Sequence, residues 1–116
     1  MERRFRLTRS TDFKRVRRSG RSYAHPLIVL IAIPNDDQAL RIGIAAGRSV
    51  GNAVKRNRSK RLLRASVHAM LGEINPGWDI VILARQSVCS ATYIQTKEAL
   101  YSLLKRARLI KVGNGC

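Results

Sequence analysis

Residues 27–33 read LIVLIAI, an unbroken apolar run set between Pro26 and Pro34. A run of this length without polar alternation is the pattern of a strand covered on both faces. Two further segments read as strands: residues 40–46 (LRIGIAA) and residues 78–85 (WDIVILAR). Turn chemistry separates the first pair at Pro34-Asn35-Asp36-Asp37, and Asn75-Pro76-Gly77 precedes the last. Pro26 sets off a short strand at residues 21–25, and Gly43 and Gly47 signal a bulge or a close backbone approach.

Helical signals fill the gaps. In residues 10–19, Ser10 reads as an N-cap, Asp12 suits the first turn and Gly20 is a natural stop. Phe13 and Val16 make a thin apolar stripe, with Arg17 near Phe13 on the wheel. A long helix is predicted from about Ala53 to Gly72, after the break at Gly51-Asn52. Thr92 and Gln95 form a capping-box pattern that opens a helix to about Arg108. Its predicted apolar face is Ile94, Leu100, Tyr101, Leu104 and Ala107. The strand–helix–strand unit over residues 40–85 suggests a crossover between parallel strands. The expectation is therefore a single small α+β domain over residues 10–110, with a mixed sheet of about four strands and three helices, ordered αβββαβα. Residues 1–9, carrying Arg3, Arg4, Arg6 and Arg9, read as a basic arm, and residues 111–116 as a polar tail.

Charge decides the class of partner. Twenty-three Lys and Arg against seven Asp and Glu give a formal +16 on 116 residues. Such self-repulsion disfavours the compact state, and a polyanionic partner is the simplest reason to carry it. Seventeen of the cations are Arg, whose planar donor fork matches phosphate and stacks on bases. Cys89 and Cys116 lie in no metal-ligand spacing, and His25 and His68 are far apart and unaccompanied. The basic N-terminus lacks the apolar run of a signal peptide, and seven apolar residues fall far short of a membrane span. A cytoplasmic protein with no membrane association is expected.

The densest charge is GNAVKRNRSKRLLR, residues 51–64. On a helical wheel, Asn57, Lys60, Arg61, Arg64 and His68 share one arc. Val54, Leu62, Ala65 and Ala69 fill one flank; Leu63, Val67 and Met70 fill the other. Lys55, Arg56 and Arg58 fall off the stripe, placed to meet loops, the sheet margin, RNA or an acid such as Asp79. Solvated helix faces normally mix both signs, yet no acid stands between Asp37 and Glu73. That imbalance points to phosphate. Other modules fit poorly: no GXXG loop, no aromatic-rich strand for base stacking, no P-loop and no carboxylate pair placed for two metals.

The string GNAVKRNRSKRLLR after RIGIAA resembles the signature of the bacterial ribonuclease P protein component. The resemblance extends over nearly the whole chain, from Asp12-Phe13 through Arg56-Asn57-Arg58 to DIVILAR and the last helix. It implies a protein subunit that joins a catalytic RNA and promotes Mg²⁺-dependent endonucleolytic removal of the 5′ leader from precursor tRNA. The Mg²⁺ would be bound mainly by the RNA, no residue of the protein would be catalytic and no protein partner would be required. It also implies a left-handed βαβ crossover. By match, Arg48, Asn52, Lys55, Arg56, Asn57, Arg58, Lys60, Arg61 and Arg64 face the catalytic RNA. Phe13 matches an aromatic of the leader-binding cleft, where Arg17 and Ile31 stand in place of two further family aromatics. The rival reading is a ribosomal or other general RNA-binding protein; DNA compaction and a free-standing nuclease rank behind it.

Overall fold

The computed structural model describes residues 5–7 and 9–111. Three α-helices and four strands follow the expected order: α1 (Ser10–Ser19), β1 (Arg21–Ala24), β2 (Ile28–Pro34), β3 (Leu40–Ala46), α2 (Ala53–Met70), β4 (Trp78–Ala84) and α3 (Tyr93–Arg106). The strands lie in the order β1-β2-β4-β3. β1–β2 and β2–β4 are antiparallel, whereas β3 and β4 are parallel neighbours joined through α2. The sheet is mixed because β4 returns from α2 into the gap between β2 and β3.

Both faces of the sheet are covered, which accounts for the continuous apolar strands. Ile28, Leu30, Ile42, Ile80 and Ile82 point to one face and meet Leu63 and Val67 of α2 and Leu100, Leu103 and Leu104 of α3. Ile31 and Val81 point to the other, where they meet Val16 of α1 and Leu7. Each large aliphatic side chain buried in this way contributes roughly 1.5–3 kcal/mol.

Several local expectations need correction. Ser10 is the first helical residue rather than the cap of α1; Arg9 occupies that position, with no side-chain hydrogen bond. The inward face of α3 is Thr96, Ala99, Leu100, Leu103 and Leu104, while Ile94 (65% exposed) and Tyr101 (44%) point outward. The predicted capping box is present, with Thr92 and Gln95 each bonding the other's backbone N–H. Part of the predicted arm belongs to the fold. The Leu7 N–H donates to the Ile42 carbonyl at 3.0 Å, Arg6 bridges β3, Leu7 is buried and Phe5 packs on the core. Residues 1–4 of that arm, and all of the predicted tail except Lys111, lie outside the described residues.

Candidate nucleic-acid interface

α2 begins where the sequence predicts, and for a local reason. Gly51 takes φ 132°, a conformation that a side chain would strain, and Asn52 then accepts from the Lys55 N–H at 3.0 Å. The Asn52 side-chain oxygen, predicted to meet RNA, is thus engaged as the cap of the helix. Arg48 is exposed in the 3₁₀ turn Arg48–Val50 just before it.

The buried face of α2 is Ser59, Leu63, Ser66, Val67 and Met70. Two serines can be buried because each hydroxyl donates to its own helix, Ser59 to the Lys55 carbonyl and Ser66 to the Leu62 carbonyl. The flank of Val54, Ala65 and Ala69, predicted to pack, is exposed instead. Consequently the basic stripe does not face one direction. Arg64, half-buried, lines a recess of about 260 Å³ with Arg6, Phe13, Gly43 and Ile44. Arg58 and Arg61 instead line a groove toward α3, together with Asn57 and Tyr93. Lys55 is exposed and Lys60 half-buried. The Arg58 Nε donates to the Cys89 carbonyl at 3.1 Å, and the buried Arg56 Nε has no hydrogen-bond partner among the described residues. No ion pair among the described residues involves α2.

On the opposite face of the sheet, Phe13 is half-buried over Gly43. A Cβ at Gly43 would overlap the Phe13 ring, so the glycine of β3 is what lets the aromatic lie against the strand. Arg17 is exposed on α1. Ile31, only 7% exposed, packs with Leu7, Val16 and Val81 and forms the floor beneath α1 rather than an open contact surface.

Asp79 holds this face together. It is 1% exposed and pairs with Arg15 of α1. Its Oδ1 also accepts from the Arg41 Nε at 3.0 Å and from the Asn35 amide at 2.9 Å. Burial pushes its carboxyl pKa up, but the donors from Asn35, Arg15 and Arg41 outweigh that and leave it below the ordinary carboxylate range. The acid thus serves α1 and β3, not Lys55, Arg56 or Arg58. Sequence reasoning missed this cluster, although an acid inside the apolar run of β4 is the signal that could have found it.

The chain is similar to proteins of one family. The family model described as Ribonuclease P matches residues 1–108. A ribonuclease P protein component of Herpetosiphon aurantiacus is 39% identical over 109 residues, covering 94% of this chain and 89% of that protein. One from Listeria innocua is 33% identical, covering 96% and 94%. The structure of the Staphylococcus aureus RNase P protein superposes with a TM-score of 0.81 at 30% identity, covering 92% of this chain and 98% of the other. That of Thermotoga maritima gives 0.78 at 30% identity, covering 87% and 96%.

Proposed function

The chain belongs to the ribonuclease P protein family, part of the ribonucleoprotein endoribonuclease of tRNA processing, and from that premise we propose how its surfaces divide the work. Association with the ribonuclease P RNA comes with the family. We assign that contact to α2, and one observation carries the assignment. Lys55, Arg56, Arg58, Lys60, Arg61 and Arg64 stand on one helix, none of them ion-paired among the described residues. Cations held together without counter-charges repel one another, and phosphate relieves that repulsion while releasing condensed counterions. Arg48 extends the same field at the helix entrance.

The recess of Phe13, Gly43 and Arg64 is assigned to the 5′ leader of precursor tRNA. A half-exposed ring offers a base a stacking surface, and the neighbouring Arg64 and Arg17 offer donors to its backbone. Ile31 belongs to the buried cluster on which Phe13 packs. The hydrolysis is assigned to the RNA with its Mg²⁺. Among the described residues no group of three His, Cys, Asp or Glu could hold a metal ion, and the Asp79 oxygens are taken up by Arg15, Arg41 and Asn35. In this reading the part of the protein's residues is to bind and position the RNA. No helix among the described residues is long and apolar enough to cross a membrane, and a cytoplasmic site of action accords with a tRNA precursor as substrate.

Reconstitution tests this reading. Added to ribonuclease P RNA at low Mg²⁺, the protein should promote cleavage at the mature 5′ end, and without RNA it should cleave nothing. An RNA-binding protein of another kind would bind the same RNA without promoting processing. The leader assignment has its own test. Phe13→Ala should melt somewhat below wild type, because the half-buried ring packs on the cluster of Leu7, Val16, Ile31 and Val81. It should nevertheless stay folded, bind the catalytic RNA normally and lose about tenfold in holoenzyme affinity for a precursor with several leader nucleotides, a loss within the range of one base stack. A one-nucleotide leader should show little change; an equal loss for both leaders would remove Phe13 from the leader contact.

A further inference from the structure

The groove between α2 and α3 contains a residue that the basic helix does not account for. Tyr93, the first residue of α3, is 39% exposed, and its ring borders a concave surface of about 550 Å³. That volume falls in the range of ligand-binding clefts. The floor is apolar, made by Leu62, Ala65 and Val54, the last of these 76% exposed. Arg58 and Arg61 stand at its border. Arg58 is tethered through its Nε to the Cys89 carbonyl, while its terminal N–H groups have no partner among the described residues. Tyr93 is equally well placed, because the capping box of Thr92 and Gln95 fixes the start of α3.

We propose that this groove is a stacking site for one unpaired base of the catalytic RNA, with Tyr93 as the platform. The inference rests on the assignment of α2 to that RNA and extends the interface onto α3. Charge selects the occupant. The groove is lined by two arginines and no acid, whereas the adjoining recess on the other side of Tyr93 carries Glu73 and Glu98 against the single base Lys97. A polyanion is drawn to the first and repelled from the second. Stacking on a flat ring over an apolar floor, with guanidinium donors at the edge, is how proteins hold a splayed RNA base.

Stacking and phosphate contact differ in their response to salt, and that difference supplies the test. Stacking releases no counterions, so Tyr93→Ala should weaken ribonuclease P RNA binding about tenfold while the slope of log affinity against log salt stays at the wild-type value. Tyr93→Phe, which keeps the ring, should bind like wild type, and so should Tyr101→Ala, which removes an exposed tyrosine outside the groove. With 4-thiouridine in the RNA, irradiation of the wild-type complex should crosslink to Tyr93, a result that does not depend on how any variant folds. Unchanged affinity in Tyr93→Ala, or absence of the crosslink, overturns the proposal. So does a change in self-association of Tyr93→Ala by sedimentation with RNA binding intact, because the groove would then hold a second copy. Arg61→Ala separates the two levels: if it also leaves the salt slope unchanged, the assignment of α2 itself has failed.

Discussion

Asp79→Ala is expected to lower the unfolding free energy by about 3 kcal/mol and the melting temperature by roughly 10–20 °C. The carboxylate is buried and accepts from three elements at once: Arg15 on α1, Arg41 on β3 and Asn35 in the turn before it. Removing one partner of a buried pair costs about 3–5 kcal/mol when the remaining charge stays buried. Here the Arg15 and Arg41 side chains are 41% and 34% exposed, so their guanidiniums can regain water, which sets the expectation at the lower end. Asp79→Asn keeps the shape and one acceptor and should cost less. Thermal melts of the three proteins decide this, and equal stability of Asp79→Ala and wild type would show that the cluster is only a surface arrangement.

The same carboxylate sets a pH dependence. Its folded pKa lies below the unfolded value of about 4, so its contribution is complete above that value and is lost as pH falls through the folded pKa. The wild type should therefore lose stability on acidification below about pH 4 by an amount that Asp79→Asn does not. The consequence for function is local. Arg15 is tied to Asp79 on the face that also carries Phe13, so loosening the pair should affect leader binding before it affects α2.

The strands were legible because burial on both faces leaves long apolar runs, unbroken in LIVLIAI and interrupted only by Asp79 in WDIVILA. The start of α2 was legible because Gly51 and Asn52 act locally, one through φ and the other as a cap. Helix phase was less so. Small residues carry little preference: Ala65 and Ala69 read as packing positions but are exposed, while Ser59 and Ser66 are buried once their hydroxyls return to the helix backbone. The periodicity of α3 points Ile94 and Tyr101 inward, yet Ala99 and Leu103 fill that place. The Asp79 cluster joins residues 64 and 38 positions apart, and no local pattern announces such a pairing. Leu7 was hidden among arginines, and only the free edge of β3 shows why it is buried.

That phase correction changes what the basic stripe should do. Arg61 faces the groove toward α3 and Arg64 faces the recess of Phe13, so the double variant Arg61→Ala with Arg64→Ala removes one cation from each side. Each lost duplex phosphate contact reduces the slope of log affinity against log salt by about 0.9, or about 0.7 for a single strand. Each such contact corresponds to roughly a fivefold loss of affinity near physiological salt, felt on the catalytic RNA for Arg61 and on the precursor leader for Arg64. Lys105→Ala with Lys111→Ala removes the same charge from exposed positions elsewhere and should leave the slope near wild type. Equal slopes for the two doubles would mean that the charge acts as a diffuse cloud. The single variants carry the finer expectation. Arg64→Ala should cost the holoenzyme more for a precursor with a long leader than for one with a single leader nucleotide, because it shares the Phe13 recess. Arg61→Ala should cost both precursors alike. If leader length affects the two variants equally, α2 does not divide its arginines between two RNA contacts.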